Sequence, residues 1–188
     1  ARVLAGTLAR GADPDSDREA ALALASSVKD LDEHGYAVRS LVDALTPHTS
    51  ALAASEQPFT LALPNVWHLA TDVEATTAAD TSVLDLIAVL HPTAAVAGTP
   101  TDAALAAIAR IEPSDRGRYA GPVGWVDAHG DGEWAIALRG AQFDLAGADD
   151  TGIPFTAHAG AGIVAGSDPE AELLETRVKF RPIIDALA

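Results

Sequence analysis

The stretch from Phe155 to Leu187, F-T-A-H-A-G-A-G-I-V-A-G-S-D-P-E-A-E-L-L-E-T-R-V-K-F-R-P-I-I-D-A-L, constrains the fold most. It opens as a short apolar strand, turns through Gly160, Gly162 and Gly166, and restarts as a helix at Ser167-Asp168-Pro169-Glu170. An S-x-x-E capping box with proline in the first turn predicts that start. Strand, glycine turn and helix start outline an anion site, because glycines let the backbone approach a ligand and turn N–H groups towards it. On the predicted helix Glu172, Glu175 and Lys179 fall at i, i+3 and i+7, on one face. Paired carboxylates suit a hard cation such as magnesium, so the motif suggests a metal-bridged anionic ligand. The same residues also fit a solvated helix face, with Glu175 and Lys179 as an ordinary i,i+4 pair. G-A-G-I-V-A-G is not the dinucleotide fingerprint: its third glycine falls one residue late and no βαβ unit follows.

Charge narrows the ligand. The net charge of −15 excludes nucleic acid as the expected partner, since phosphates demand clustered Lys and Arg. A small anion is repelled too, unless a metal or a local cation reverses the field, which singles out Arg139 and Lys179. The absence of cysteine removes disulfides, thiolate metal sites and thiol nucleophiles. With 48% hydrophobic and 21% charged residues and no run of about 18 apolar residues, the chain is expected to be globular, cytoplasmic and without membrane contact. It contains no methionine and begins at Ala1 in an apolar run, as expected of a piece of a longer protein.

Along the chain, a short strand is expected from Arg2 to Ala5, ending at Gly6-Thr7. Ser16-x-x-Glu19 predicts a helix to about Ser26, and a longer helix follows from Lys29 to about Leu45 with Leu31, Val38, Leu41, Val42 and Leu45 at helical spacing. Residues 47–58 read as a polar loop. Trp67 and His68 fall on a strand, residues 82–90 on a short helix, and a further helix runs from Thr99-Pro100 to about Ile111. From Tyr119 the period changes to two and predicts a hairpin. Its second strand places Trp134, Ile136 and Leu138 on one face and Ala135, Ala137 and Arg139 on the other. An arginine between alanines points to a carboxylate partner or ligand. No internal repeat or linker appears, so residues 1–188 are read as one domain.

Eight co-linear segments carry a resemblance: L-A-G-T (Leu4 to Thr7), S-x-K-D-x-x-E-H (Ser27 to His34), W-H-L-A-T (Trp67 to Thr71), L-H-P-T-A-A-V-A-G (Leu90 to Gly98), Y-A-G-P-V-G-W (Tyr119 to Trp125), G-E-W-A-I-A-L-R (Gly132 to Arg139), A-G-A-G-I-V (Ala159 to Val164) and E-L-L-E-T-x-V-K (Glu172 to Lys179). In order and spacing they resemble the chorismate-utilising enzymes, over the whole chain. The H-P-T-x-A form, with Ala95, looks most like the isochorismate synthases; the anthranilate and salicylate synthases usually carry threonine or another residue there. Val28 departs from the glutamate usual before the lysine.

The resemblance implies an α+β fold with an antiparallel sheet packed on helices, forming the C-terminal half of the family fold. It implies Mg2+ as cofactor, held by Glu33 and Glu175 with Glu172 nearby through water. It implies that Gly160, Gly162 and Lys179 hold the ring carboxylate of chorismate, and that Tyr119 and Arg139 hold the carboxylate of the enolpyruvyl arm. Gly6 and Thr7 then lie on the ring-hydroxyl side and His68 near the ring. The family's general base lysine and general acid glutamate fall in the half that would precede Ala1, so no residue here is assigned a catalytic role beyond a possible accessory one for His68. The expected partners are chorismate and that missing half, with self-association of the chain alone, and the pathway implied is menaquinone or catechol siderophore synthesis. Two alternatives stay open: a salicylate- or anthranilate-type enzyme, and a chorismate-binding or assembly module without catalysis.

Overall fold

A twelve-residue run, Val66–Thr77, alternates enough apolar residues to be buried along its middle, and the first part of the chain is built on it. The computed structural model describes residues 1–188, with the elements β1 (Arg2–Ala9), α1 (Pro14–Ser26), α2 (Val28–Leu45), β2 (Thr49–Ala54), β3 (Phe59–Ala62), β4 (Val66–Thr77), α3 (Val83–Leu90), α4 (Thr101–Ile111), β5 (Pro122–Val126), β6 (Gly132–Ile136), β7 (Ala141–Phe143), β8 (Phe155–Ala157) and α5 (Pro169–Leu187). They fall into two compact units, Ala1–Arg110 with Val126–Asp131, and Ile111–Trp125 with Gly132–Ala188.

In the first unit β4 is the centre of an antiparallel sheet. β1 pairs along residues 66–72, β3 along 67–70 and β2 along 73–77. The inward side of this sheet meets α2, whose buried positions His34, Ala37, Leu41 and Leu45 repeat at helical spacing. Val3, Ala5, Val73, Ala37, Leu41 and Leu45 form the core, and Leu52, Leu86 and Leu90 pack against it. Removing Leu45 or Val73 would leave a cavity here, at about 1–4 kcal/mol. The α+β class, with antiparallel strands packed on helices, is thus the one the sequence implies.

Several local details differ from the sequence reading. β1 extends to Ala9, because β4 continues to offer partners as far as Val66. Residues 49–54 are a strand, not loop: T-S-A-L-A-A has little strand character of its own and is recruited by the free edge of β4. The first helix is capped by Asp13, with Ser16 as the reciprocal partner at its third position, so the cap lies three residues before the predicted serine. Ser27 and Ser82 do cap α2 and α3.

The second unit holds two small strand pairs, β5 with β6 and β7 with β8, together with α5. β6 ends at Ile136, so Arg139 does not share a strand face with Ala135 and Ala137. Two non-glycine residues take left-handed backbone here, Ala120 at φ 62° and Arg139 at φ 56°. Hydrogen bonds from Ala120 N to Ala137 O (2.9 Å) and from Ala137 N to Gly121 O (2.8 Å) hold Ala120 in place. Left-handed backbone costs a side-chain-bearing residue about 1 kcal/mol or more, and such positions cluster at functional sites.

Candidate functional site

The C-terminal helix reverses the usual polarity of a surface helix. Glu172 is 5% exposed, and the side chains of Glu175 and Lys179 are 28% and 13% exposed, whereas Leu173, Leu174 and Ile184 are 54–60% exposed. A helix that turns carboxylates and an ammonium inward and leucines outward is not arranged for its own stability. Its start is set by Asp168, which accepts a hydrogen bond from Ala171 N at 2.9 Å, with Pro169 in the first turn where no N–H is needed. Ser167, the predicted cap, instead closes the preceding glycine turn by accepting from Val164 N at 3.1 Å.

The predicted face comes together around Lys179. Its ammonium donates to the Gly160 carbonyl at 3.0 Å and pairs with Glu175 at 2.5 Å. Gly160 leaves room for a neighbour: a β-carbon there would stand 3.5 Å from the Tyr119 hydroxyl. Burial raises the pKa of the Tyr119 phenol, while the charges of Arg116 and Arg139 oppose that shift. Arg139 is half-buried, and burial lowers its pKa against the fields of Tyr119 and Glu175. It makes no hydrogen bond or ion pair. Tyr119, Arg139, Gly160, Glu175 and Lys179 are thus neighbours in one unit, with half-buried Gly162 two residues after Gly160.

Three further features of this cluster were not singled out in the sequence, although the first falls at i,i+4 spacing. Arg116 grips Glu112 with two bonds of 2.9 and 2.6 Å. The same guanidinium lies 5.8 Å from the Tyr119 ring centre, and His158 stacks on that ring at 5.3 Å with 27° between planes. Ala120, in left-handed backbone, follows Tyr119 directly.

The first unit supplies a separate group at a bulge of β1. Gly6, at φ 80°, breaks the register between Ala5 and Thr7; a β-carbon there would lie 3.1 Å from that of Asp30 on α2, so glycine is required. His68 Nδ1 lies 3.0 Å from Thr7 Oγ1 and 3.2 Å from the Gly6 carbonyl. A carbonyl only accepts, so Nδ1 carries the proton. Behind the bulge His34, 2% exposed, donates from Nδ1 to Ala5 O at 3.1 Å, and Thr71 donates to its Nε2 at 2.8 Å. Burial lowers the pKa of His34, which keeps the ring neutral. Glu33 precedes it on α2 and is half-buried. Ala95 is exposed, in the turn that follows α3.

For a metal, the chemistry of the donors is the test. A carboxylate as buried as Glu172 requires a cation or donors against it, and with Glu175 one turn along it offers hard oxygens of the kind magnesium takes. Neither unit by itself gathers three His, Asp or Glu side chains into a metal-holding group. Glu172 and Glu175 therefore fit magnesium as part of a larger oxygen set.

The geometry has counterparts among known proteins. The chain is 44% identical to the isochorismate synthase DhbC of Bacillus subtilis over 186 residues, which is 98% of this chain and 45% of that protein. A Bacillus anthracis crystal structure assigned as a 2,3-dihydroxybenzoate-specific isochorismate synthase, DhbC, superposes with TM-score 0.90 and 40% identity over 100% of this chain and 48% of that one. The menaquinone-specific isochorismate synthase MenF of Escherichia coli superposes with TM-score 0.79 and 33% identity, over 97% of this chain and 41% of that one. The chain spans about half the length of the curated relatives it matches. The family profile described as chorismate binding enzyme matches residues 1–188, and the chain belongs to that family.

Proposed function

We propose that this chain is the metal- and substrate-binding half of an enzyme that converts chorismate to isochorismate with magnesium. The observation that carries this reading is Arg139, a half-buried guanidinium without a hydrogen bond or ion pair in a chain of net charge −15. An acidic chain that keeps such a cation strained and unpaired keeps it for an anion. The names of the similar proteins, isochorismate synthases, support the substrate and product.

The planar fork of Arg139 matches a carboxylate, and the Tyr119 hydroxyl adds one donor; together they take the carboxylate of the enolpyruvyl arm. Lys179 and the backbone N–H groups of Gly160 and Gly162 take the ring carboxylate. Gly6, Thr7 and His68 would serve the ring-hydroxyl side, where the proton on His68 Nδ1 leaves Nε2 as an acceptor. Glu33, Glu172 and Glu175 would hold Mg2+, which when bound neutralises carboxylate charge on the ligand. The overall change adds water at one ring carbon and expels the hydroxyl two carbons on, with acid–base groups outside this chain. By itself the chain binds without turnover, and exposed residues such as Leu173, Leu174 and Ile184 favour its self-association.

Chromatographic product analysis tests this. The complete enzyme, with this chain joined to its remaining half, is expected to form isochorismate from chorismate and Mg2+, and the 188-residue chain alone is expected to form none. Salicylate or anthranilate as the main product would overturn the reading. Turnover by the chain alone would place the acid–base pair within it.

A further inference from the structure

Two side chains that the substrate reading leaves without a role rest against the Tyr119 ring. His158 stacks on its ring at 5.3 Å, and the Arg116 guanidinium lies 5.8 Å from the ring centre. Both distances fall within the attractive range for aromatic and cation–aromatic pairs. Arg116 is itself fixed, because its two bonds to Glu112 use a planar fork on a planar carboxylate. That pairing also divides the labour between two arginines near one phenol. The charge of Arg116 is spent on Glu112, whereas that of Arg139 has no such partner. A tyrosine hydroxyl stands at the end of a long lever, so a slight swing of the ring moves it away from Gly160. Bonds from Tyr119 N to Arg116 O and from Ala120 N to Ala137 O, both 2.9 Å, fix the backbone here, but the side-chain torsions that aim the ring are left to what packs against it.

We propose that His158 and Arg116 are positioning residues that clamp the Tyr119 ring and so hold its hydroxyl beside Gly160 for a ligand carboxylate. This rests on the assignment of Tyr119 to substrate binding. A carboxylate remote from the reacting carbons is gripped equally in ground and transition states, so loosening the clamp raises KM and spares kcat.

Steady-state kinetics of the complete enzyme with chorismate tests the clamp. His158→Ala is expected to raise KM about three- to tenfold, the range of a lost aromatic pair, with kcat within about twofold. His158→Phe, which keeps the stack, is expected to restore KM. Arg116→Lys, which keeps the charge and loses the fork, is expected to raise KM as well. Because the clamp acts through the phenol, His158→Ala is expected to add nothing in a Tyr119→Phe background. If His158→Ala fails to fold, Arg116→Lys carries the same comparison. Unchanged KM in His158→Ala and Arg116→Lys, with KM raised in Tyr119→Phe, overturns the clamp and leaves the substrate reading standing. Unchanged KM in Tyr119→Phe overturns the assignment of Tyr119 itself. A fall in kcat at constant KM, or full additivity, also overturns the clamp.

Discussion

The ammonium of Lys179 donates to the carbonyl of Gly160 at 3.0 Å, which anchors the glycine turn to the inward face of the last helix. The same group pairs with Glu175, so the glycine turn, the cation and a carboxylate move as one piece. Lys179→Met is expected to weaken chorismate binding by about 1.5–3 kcal/mol, the worth of a hydrogen bond to a charged group. The cost to stability should be smaller, because the lost pair with Glu175 is offset by no longer burying an ammonium. Calorimetric titration and thermal melts read the two quantities separately; a large loss of stability with unchanged binding contradicts the assignment.

Arg139 carries a cost to folding that its role explains. Its backbone lies at φ 56°, where glycine is unstrained, and its half-buried charge has no partner. Arg139→Gly is therefore expected to be more stable than Arg139→Ala by about 1 kcal/mol, and both variants to lose chorismate affinity. Neither is expected to unfold the chain. Equal stability of the two in denaturant titrations would remove the strain from the account.

Acid sensitivity in the first unit should trace to Asp17. Arg10 binds it through two atoms at 2.6 and 2.5 Å, Trp67 Nε1 donates at 2.9 Å and Gly11 N at 3.0 Å. Chiefly through Arg10, the carboxyl is held far below the usual carboxylate range. A lowered folded-state pKa stabilises the fold above the unfolded value of about 4 and loses that contribution as pH falls through the folded value. Asp17→Asn is expected to melt several degrees below the parent at pH 7, with the gap closing below about pH 4. A gap that stays constant down to pH 2 contradicts the linkage.

Much of this was readable from residues. The caps at Ser27 and Ser82, the buried stripe of α2 and the face shared by Glu172, Glu175 and Lys179 each follow from one local rule. The misreadings have physical causes. Where aspartate and proline competed with serine, at Asp13-Pro14 and Asp168-Pro169, the cap went to the residue before proline. β2 was invisible because its partner β4 recruits it. Arg139 was placed on a strand because left-handed backbone is normally signalled by glycine, and here alanine and arginine adopt it. His158 reaches the Tyr119 ring from a distant position, so no spacing announces it.

The central claim is that one anionic ligand and one magnesium ion share a site. Ligands that meet in one site raise each other's affinity by the same factor. The most direct measurement is a calorimetric titration of chorismate into the complete enzyme with and without Mg2+, repeated in Glu175→Gln. Chorismate is expected to bind about tenfold or more tightly with saturating Mg2+, and Glu175→Gln to abolish that gain. Equal chorismate affinity with and without the metal would contradict the account.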